Sequence, residues 1–168
     1  VYGTVQQHKG SISVKSIPGK EPSFIINLPL SKEAGSALTE VPKEYKGKGR
    51  ILVIDDEQVM RETVQAILET LGYEAVTAEN GRVGFELFKA NPSSFDLVLM
   101  DMIMPEMNGK DCFTAIRKER NDIKVILTSG YSDEKDLTEM QTMGLNGFLK
   151  KPYNRASLSE TIADVLVS

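Results

Sequence analysis

The chain has 168 residues, 40% hydrophobic and 26% charged, with 13 Gly and 7 Pro, the composition of a globular protein long enough for one domain and a remainder. No apolar run approaches the roughly 20 residues of a membrane span, no signal peptide is visible, and the single cysteine, Cys112, excludes an internal disulfide and a cysteine-based metal site and fits a reducing cytosol. The net charge of −4 divides unevenly, with seven Lys/Arg and four Asp/Glu in residues 1–48 against thirteen and twenty in residues 49–168, so the second stretch suits cations and not nucleic acid, which wants a basic face.

Val1 in place of an initiator Met is read as the start of a piece cut from something longer. The stretch "GSISVKSIPGKEPSFIINLPL" alternates apolar and polar residues on either side of Pro18-Gly19. That predicts a β-hairpin with a turn longer than two residues. A lone hairpin is marginal in water, so residues 1–30 are expected to have lost partner elements. Residues 31–48 have little periodicity and many small, charged and Gly/Pro residues, the composition of a linker.

From Gly49 onward short apolar runs alternate with helical patterns. Ile51–Ile54, Leu97–Met100, Val125–Leu127 and Phe148–Leu149, with a weaker run at Glu74–Thr77, are predicted strands of a parallel sheet covered on both faces. Val59, Met60, Thr63, Val64, Ile67, Leu68 and Leu71 recur at three and four before Gly72, a helix and its stop. Further helices are marked by Val83, Leu87 and Phe88, by Cys112, Phe113 and Ile116, by Leu137, Met140 and Met143 before Gly144, and by Leu158, Ile162, Val165 and Leu166. Five strands alternating with five helices predict a doubly wound α/β domain over residues 49–168. Ligands of such sheets sit beyond the carboxyl ends of the strands, where strand order reverses.

The first strand ends in Asp55, Asp56 and Glu57. Two carboxylates about 4 Å apart repel by roughly 4 kcal/mol at an effective dielectric near 20, so a shared proton, a basic side chain or a metal cation must offset them. "FDLVLMDMIMPEMNG" puts Asp101 at another strand end. If those strands are neighbours, three carboxylates meet in one pocket, a donor set for a hard cation of the Mg²⁺ type. "VILTSGY" offers a hydroxyl, Thr128 or Ser129, and "FLKKPY" a lysine. Acids, hydroxyl and lysine at successive strand ends describe a site that takes a phosphoryl group on a carboxylate.

These residues resemble a family. "DD" after the first strand, "DxxMPxxxG" around Asp101, Pro105 and Gly109, "TSG" after the fourth strand and "KP" after the fifth look like a complete receiver domain of two-component signalling. The resemblance implies a flavodoxin-like sheet of strand order 2-1-3-4-5. It also implies an aspartyl-phosphate at Asp101, the hydroxyl role on Ser129 rather than Thr128, and the lysine role on Lys151 rather than Lys150. Mg²⁺, with Mn²⁺ as substitute, would be held by Asp56, Asp101 and the backbone carbonyl of Ile103, with Asp55 acting through water. Phe148 takes the place of the family's rotating aromatic. Ile103 and Tyr131 flank the path of attacking water, which predicts a slowly hydrolysed phosphate. Signalling would be read through the fourth helix, fifth strand and fifth helix of the domain.

Residues 1–30 in turn resemble the end of a histidine-kinase ATP-binding domain, a helix end and a terminal hairpin, with "PGKEPS" departing from the usual "PGKG" at Glu21. Kinase tail followed by receiver is the order of a hybrid histidine kinase. The implied partners are a histidine-kinase phosphodonor, in the same parent chain or its dimer mate, and a histidine phosphotransfer protein. The implied location is the cytoplasm, with a membrane anchor in the parent left open. Two other readings compete: a haloacid-dehalogenase-like phosphatase, which wants an aspartate where Ile103 stands, and a degenerate receiver acting as an interaction module. Glu57 is read as a helix-start acid, Lys150 and His8 as surface residues, Cys112 as part of a helix face, and Met100 as core with Met102, Met104 and Met107 around the loop.

Overall fold

The computed structural model describes residues 11–15, 23–27, 29, 44–130 and 134–167, without the side chains of 134–136. The chain divides into two compact units, residues 1–41 and 42–168. The first contains β1 (Ser11–Lys15) and β2 (Ser23–Asn27), paired antiparallel with Ser11 opposite Asn27 and Lys15 opposite Ser23. This is the hairpin expected from the alternation. Its turn and His8 lie outside the described residues.

The second unit alternates strictly. Its elements are β3 (Arg50–Ile54), α1 (Gln58–Leu71), β4 (Glu74–Ala78), α2 (Gly81–Ala90), β5 (Leu97–Asp101), α3 (Gly109–Glu119), β6 (Lys124–Ser129), α4 (Glu134–Thr142), β7 (Gly147–Lys150) and α5 (Arg155–Val167). The sheet order is β4-β3-β5-β6-β7, every pair parallel. Counted within the unit this is the order 2-1-3-4-5. The chain steps from β3 outward to β4 and then crosses to β5, so the reversal point lies between the ends of β3 and β5. Residues 44–48, without helix or strand, belong to this unit, where the Gly47 N–H donates to the Leu71 carbonyl at 3.0 Å and Arg155 pairs with Glu44 at 2.8 Å.

The apolar runs explain the layers. Alternate residues of β3, β5 and β6 feed two cores, one on each face. Leu52, Ile54, Val98, Met100, Val125 and Leu127 pack with Phe88, Phe113, Ile116 and Met140 from α2, α3 and α4. Ile51, Val53, Leu97, Leu99 and Ile126 pack with Val64, Leu68, Leu71, Leu158, Ile162 and Val165 from α1 and α5. Each such buried side chain contributes about 1.5–3 kcal/mol. The Asn80 side chain accepts from the Val83 N–H to start α2, Asn108 from Asp111 to start α3, and Gly72, at φ 99°, ends α1 in the left-handed turn that glycine favours.

Four residues of the expected helical stripes are exposed: Val59 (67%), Thr63, Leu87 and Met143. The periodic stripe is wider than the strip of helix that meets the sheet, and Val59 sits in the first turn of α1, ahead of its buried residues. Among the described residues no helix is long and apolar enough to cross a membrane.

Candidate functional site

Three strand ends supply the site. Asp55 follows β3, its N–H donating to the carbonyl of Ala78 at 3.2 Å. Asp101 is the last residue of β5. Lys151 follows β7, and its N–H donates to the Ser129 carbonyl at 2.8 Å. From there the Lys151 ammonium reaches across the sheet and donates to Asp55 Oδ2 and Asp101 Oδ2, both at 2.8 Å. The repulsion among these carboxylates is thus met in part by a basic side chain. One ammonium has three donors, and two of them bridge the two most buried acids, Asp55 at 5% and Asp101 at 8% exposure.

The two adjacent acids differ. Asp55 Oδ1 accepts the Glu57 N–H at 2.9 Å, so both its oxygens are engaged. Asp56 is exposed and its carboxylate has no hydrogen bond or ion pair among the described residues. Asp101 Oδ1 has only a long approach, 3.5 Å, from the Ile103 N–H. One oxygen each from Asp55, Asp56 and Asp101 lie within 4.8 Å of one another. Hard carboxylate oxygens grouped in this way fit a small cation that keeps several waters. The nearby methionines do not compete, since Met100 and Met104 are core residues.

Burial raises the Asp101 carboxyl above the usual carboxylate range, against the opposing pull of Lys151. Burial pulls the Lys151 ammonium down, but the hydrogen bonds to Asp101 and Asp55 outweigh it and hold the lysine above its ordinary value. Tyr153, two residues on, is pushed up to about 12, first by burial.

The remaining sequence candidates lie around this centre. Ser129 and Thr128 are both buried. Thr128 Oγ1 donates to the Met100 carbonyl at 3.4 Å, and the Thr128 carbonyl accepts the Met102 N–H at 2.9 Å. Ser129 pairs with Lys150 across β6 and β7, and Lys150 is exposed. Phe148 is half-buried against the core. The Ile103 side chain is 64% exposed, and Tyr131 lies outside the described residues. Glu57 occupies the N-cap position of α1 without a side-chain bond. Cys112 is buried on α3, its thiol pushed up to about 12 by burial.

Two functional residues carry roles that periodicity does not reveal. Gly109 sits so close to the end of β5 that a Cβ there would meet the Asp101 carbonyl at 2.5 Å, which gives the glycine of "DxxMPxxxG" a steric reason. Arg61, in the first turns of α1, donates from Nη1 to the carbonyls of Asp55 at 2.7 Å and Asp56 at 3.0 Å.

A model of the response regulator receiver domain matches residues 51–163. The chain belongs to the receiver-domain family. It is 30% identical over 176 residues to the sensor kinase CckA of Brucella abortus, covering 99% of this chain and 19% of that protein. Among solved structures, a receiver domain from Clostridium thermocellum is 32% identical with a TM-score of 0.67, covering 70% of this chain and 94% of that one. The CheX–CheY–BeF3–Mg²⁺ complex from Borrelia burgdorferi matches at 25% identity and TM-score 0.68, covering 71% and 90%. The receiver chain spans only 19%, 49% and 23% of the first curated relatives it matches. As a receiver it has the phosphoacceptor role in two-component signalling. The phosphatase and interaction-module readings are not favoured, since the receiver match spans the strand ends that carry every acid, the hydroxyl and the lysine.

Proposed function

We propose that Asp101 accepts a phosphoryl group from a phosphohistidine, in the receiver of a hybrid histidine kinase. The observation that carries this is the shared Lys151 ammonium, 2.8 Å from both Asp55 and Asp101, which engages Asp101 through Oδ2 and leaves Oδ1 with only the long approach of the Ile103 N–H. Asp101 Oδ1 attacks phosphorus, an O–P bond forms, the P–N bond to the imidazole breaks, and its electron pair stays on nitrogen. Lys151 holds a phosphoryl oxygen as charge builds, and the Ser129 hydroxyl donates to another. Asp56, Asp101 and the Ile103 carbonyl would hold Mg²⁺, with Asp55 reaching it through water because both its oxygens are engaged. When bound, the ion neutralises charge on the transferring group. The CheY relative solved with BeF3 and Mg²⁺ supports Mg²⁺ as the cation. Phe148 turning inward as Ser129 meets the phosphate would pass the signal to the α4–β7–α5 face.

The parent context is part of the proposal. Alignment with the Brucella sensor kinase over 99% of this chain takes in residues upstream of the receiver, which supports residues 1–30 as the end of a kinase ATP-binding domain. Receivers work with histidine-kinase or phosphotransfer partners. Here the donor is a kinase histidine of the same chain or its dimer mate, with a histidine phosphotransfer protein as the onward acceptor, in the cytoplasm.

The test is incubation with acetyl phosphate, with and without Mg²⁺, resolved on a phosphate-affinity gel beside Asp101→Asn. A Mg²⁺-dependent shifted band absent from the variant is expected. No band, together with no beryllofluoride binding, would overturn the acceptor assignment. An exposed Ile103 beside the acceptor fits slow hydrolysis, and Ile103→Asn is expected to shorten the phosphate's lifetime severalfold. An unchanged lifetime would reject that role for Ile103.

A further inference from the structure

We propose that Arg61 is a positioning residue that fixes the β3–α1 loop so that Asp55 and Asp56 present their carboxylates to one cation. This rests on the metal reading above. In an extended chain consecutive side chains point to opposite faces, so neighbouring aspartates diverge unless the backbone turns between them. Here it turns, and their oxygens lie with one from Asp101 within a 4.8 Å set.

That turn aims the carbonyls of residues 55 and 56 at a single donor. They precede the helix, so no amide of α1 serves them. Arg61 Nη1 satisfies both, at 2.7 and 3.0 Å, while the Arg61 N–H donates to the Glu57 carbonyl at 3.1 Å within the helix start. The Glu57 N–H, bound to Asp55 Oδ1 at 2.9 Å, pins the side chain as Arg61 pins the main chain. The guanidinium serves backbone oxygens and forms no ion pair with either carboxylate among the described residues. Arg61 lines an open cleft with Thr77, Ala78, Glu79 and Val83, so shortening its side chain leaves no sealed void.

The sign of its effect is diagnostic. A fixed positive charge beside a cation site opposes metal binding by Coulomb's law. If Arg61 acted by charge alone, its removal would tighten Mg²⁺. If it acts by geometry, its removal weakens Mg²⁺, and groups that orient metal ligands typically matter about 10–100-fold.

The experiment is calorimetric titration of MgCl₂ into the full chain as wild type, Arg61→Met and Arg61→Lys, at a temperature where all are folded, with Tm measured in the absence of metal. Wild type is expected to bind, Arg61→Met to bind about tenfold more weakly, and Arg61→Lys to recover part of the loss. Equal or tighter binding by Arg61→Met overturns the proposal, as does a lowered Tm with unchanged affinity, the signature of a purely structural staple. If Arg61→Met fails to fold, Arg61→Lys carries the same test, since it keeps the charge and loses the fork: wild-type affinity there overturns the proposal and weaker binding upholds it. Failure of the wild type itself to bind Mg²⁺ would instead reject the metal assignment and this inference with it.

Discussion

The strands β2 and β3 have almost the same kind of sequence and opposite surroundings. β2 carries Phe24, Ile25 and Ile26, all exposed, with Phe24 at 65%. β3 carries Ile51, Leu52, Val53 and Ile54, none more than 2% exposed. The difference is in what covers them. β3 has a strand on each side and a core on each face, whereas among the described residues β2 pairs only with β1 and no core cluster includes a hairpin residue. An apolar run therefore predicts a strand. Burial comes from the layers around it.

Substitutions can break or sharpen that contrast. The largest effect belongs to the covered sheet: Phe113→Ala, at a fully buried position, is expected to destabilise the second unit by about 3–5 kcal/mol in denaturant unfolding. A cost under about 1 kcal/mol would mean that the α3 layer is not the cover described. Lys151→Met should cost roughly 1–3 kcal/mol at neutral pH, because two buried carboxylates lose their shared donor. In that variant the burial that raises the Asp101 carboxyl is no longer opposed by Lys151, so its folded-state pKa lies further above the unfolded one and the missing stability returns as pH falls through it. Urea titrations of variant and wild type at neutral and mildly acidic pH check the sign, and a deficit that grew on acidification would contradict it. The smallest effect belongs to the hairpin: Phe24→Ser should move the unfolding of the second unit by less than about 0.5 kcal/mol. A larger shift would show that β2 has a cover after all.

The same contrast explains what the sequence reveals. The strands of the second unit, Asp101 at the end of one of them and the lysine after another were legible because buried parallel strands read as unbroken apolar runs whose ends stand out as charge. The helices were legible through Leu68, Phe113 and Ile162, whose spacing matches one face. Val59 and Met143 have that spacing too and are exposed, because periodicity records a face and not how far its cover extends. Arg61 left no mark in the sequence, and Gly109 showed only as a letter of the family motif without its steric reason. One answers to two carbonyls and the other to a carbonyl packed against its Cα, and backbone geometry of that kind leaves no periodic trace. The choice between Thr128 and Ser129 was made by family position, since two adjacent hydroxyls are alike to composition.

The bridge from Lys151 to Asp55 spans 96 positions of chain, from the first strand of the sheet to the end of the last. Contacts so distant in sequence form only after the intervening chain has closed its loop. During synthesis the acids emerge early and stay without their counter-charge until β7 has docked. A chain stopped before its final strand has Asp55 and Asp101 and lacks the ammonium that steadies them. The Lys151 bridge is thus a mark of the completed sheet.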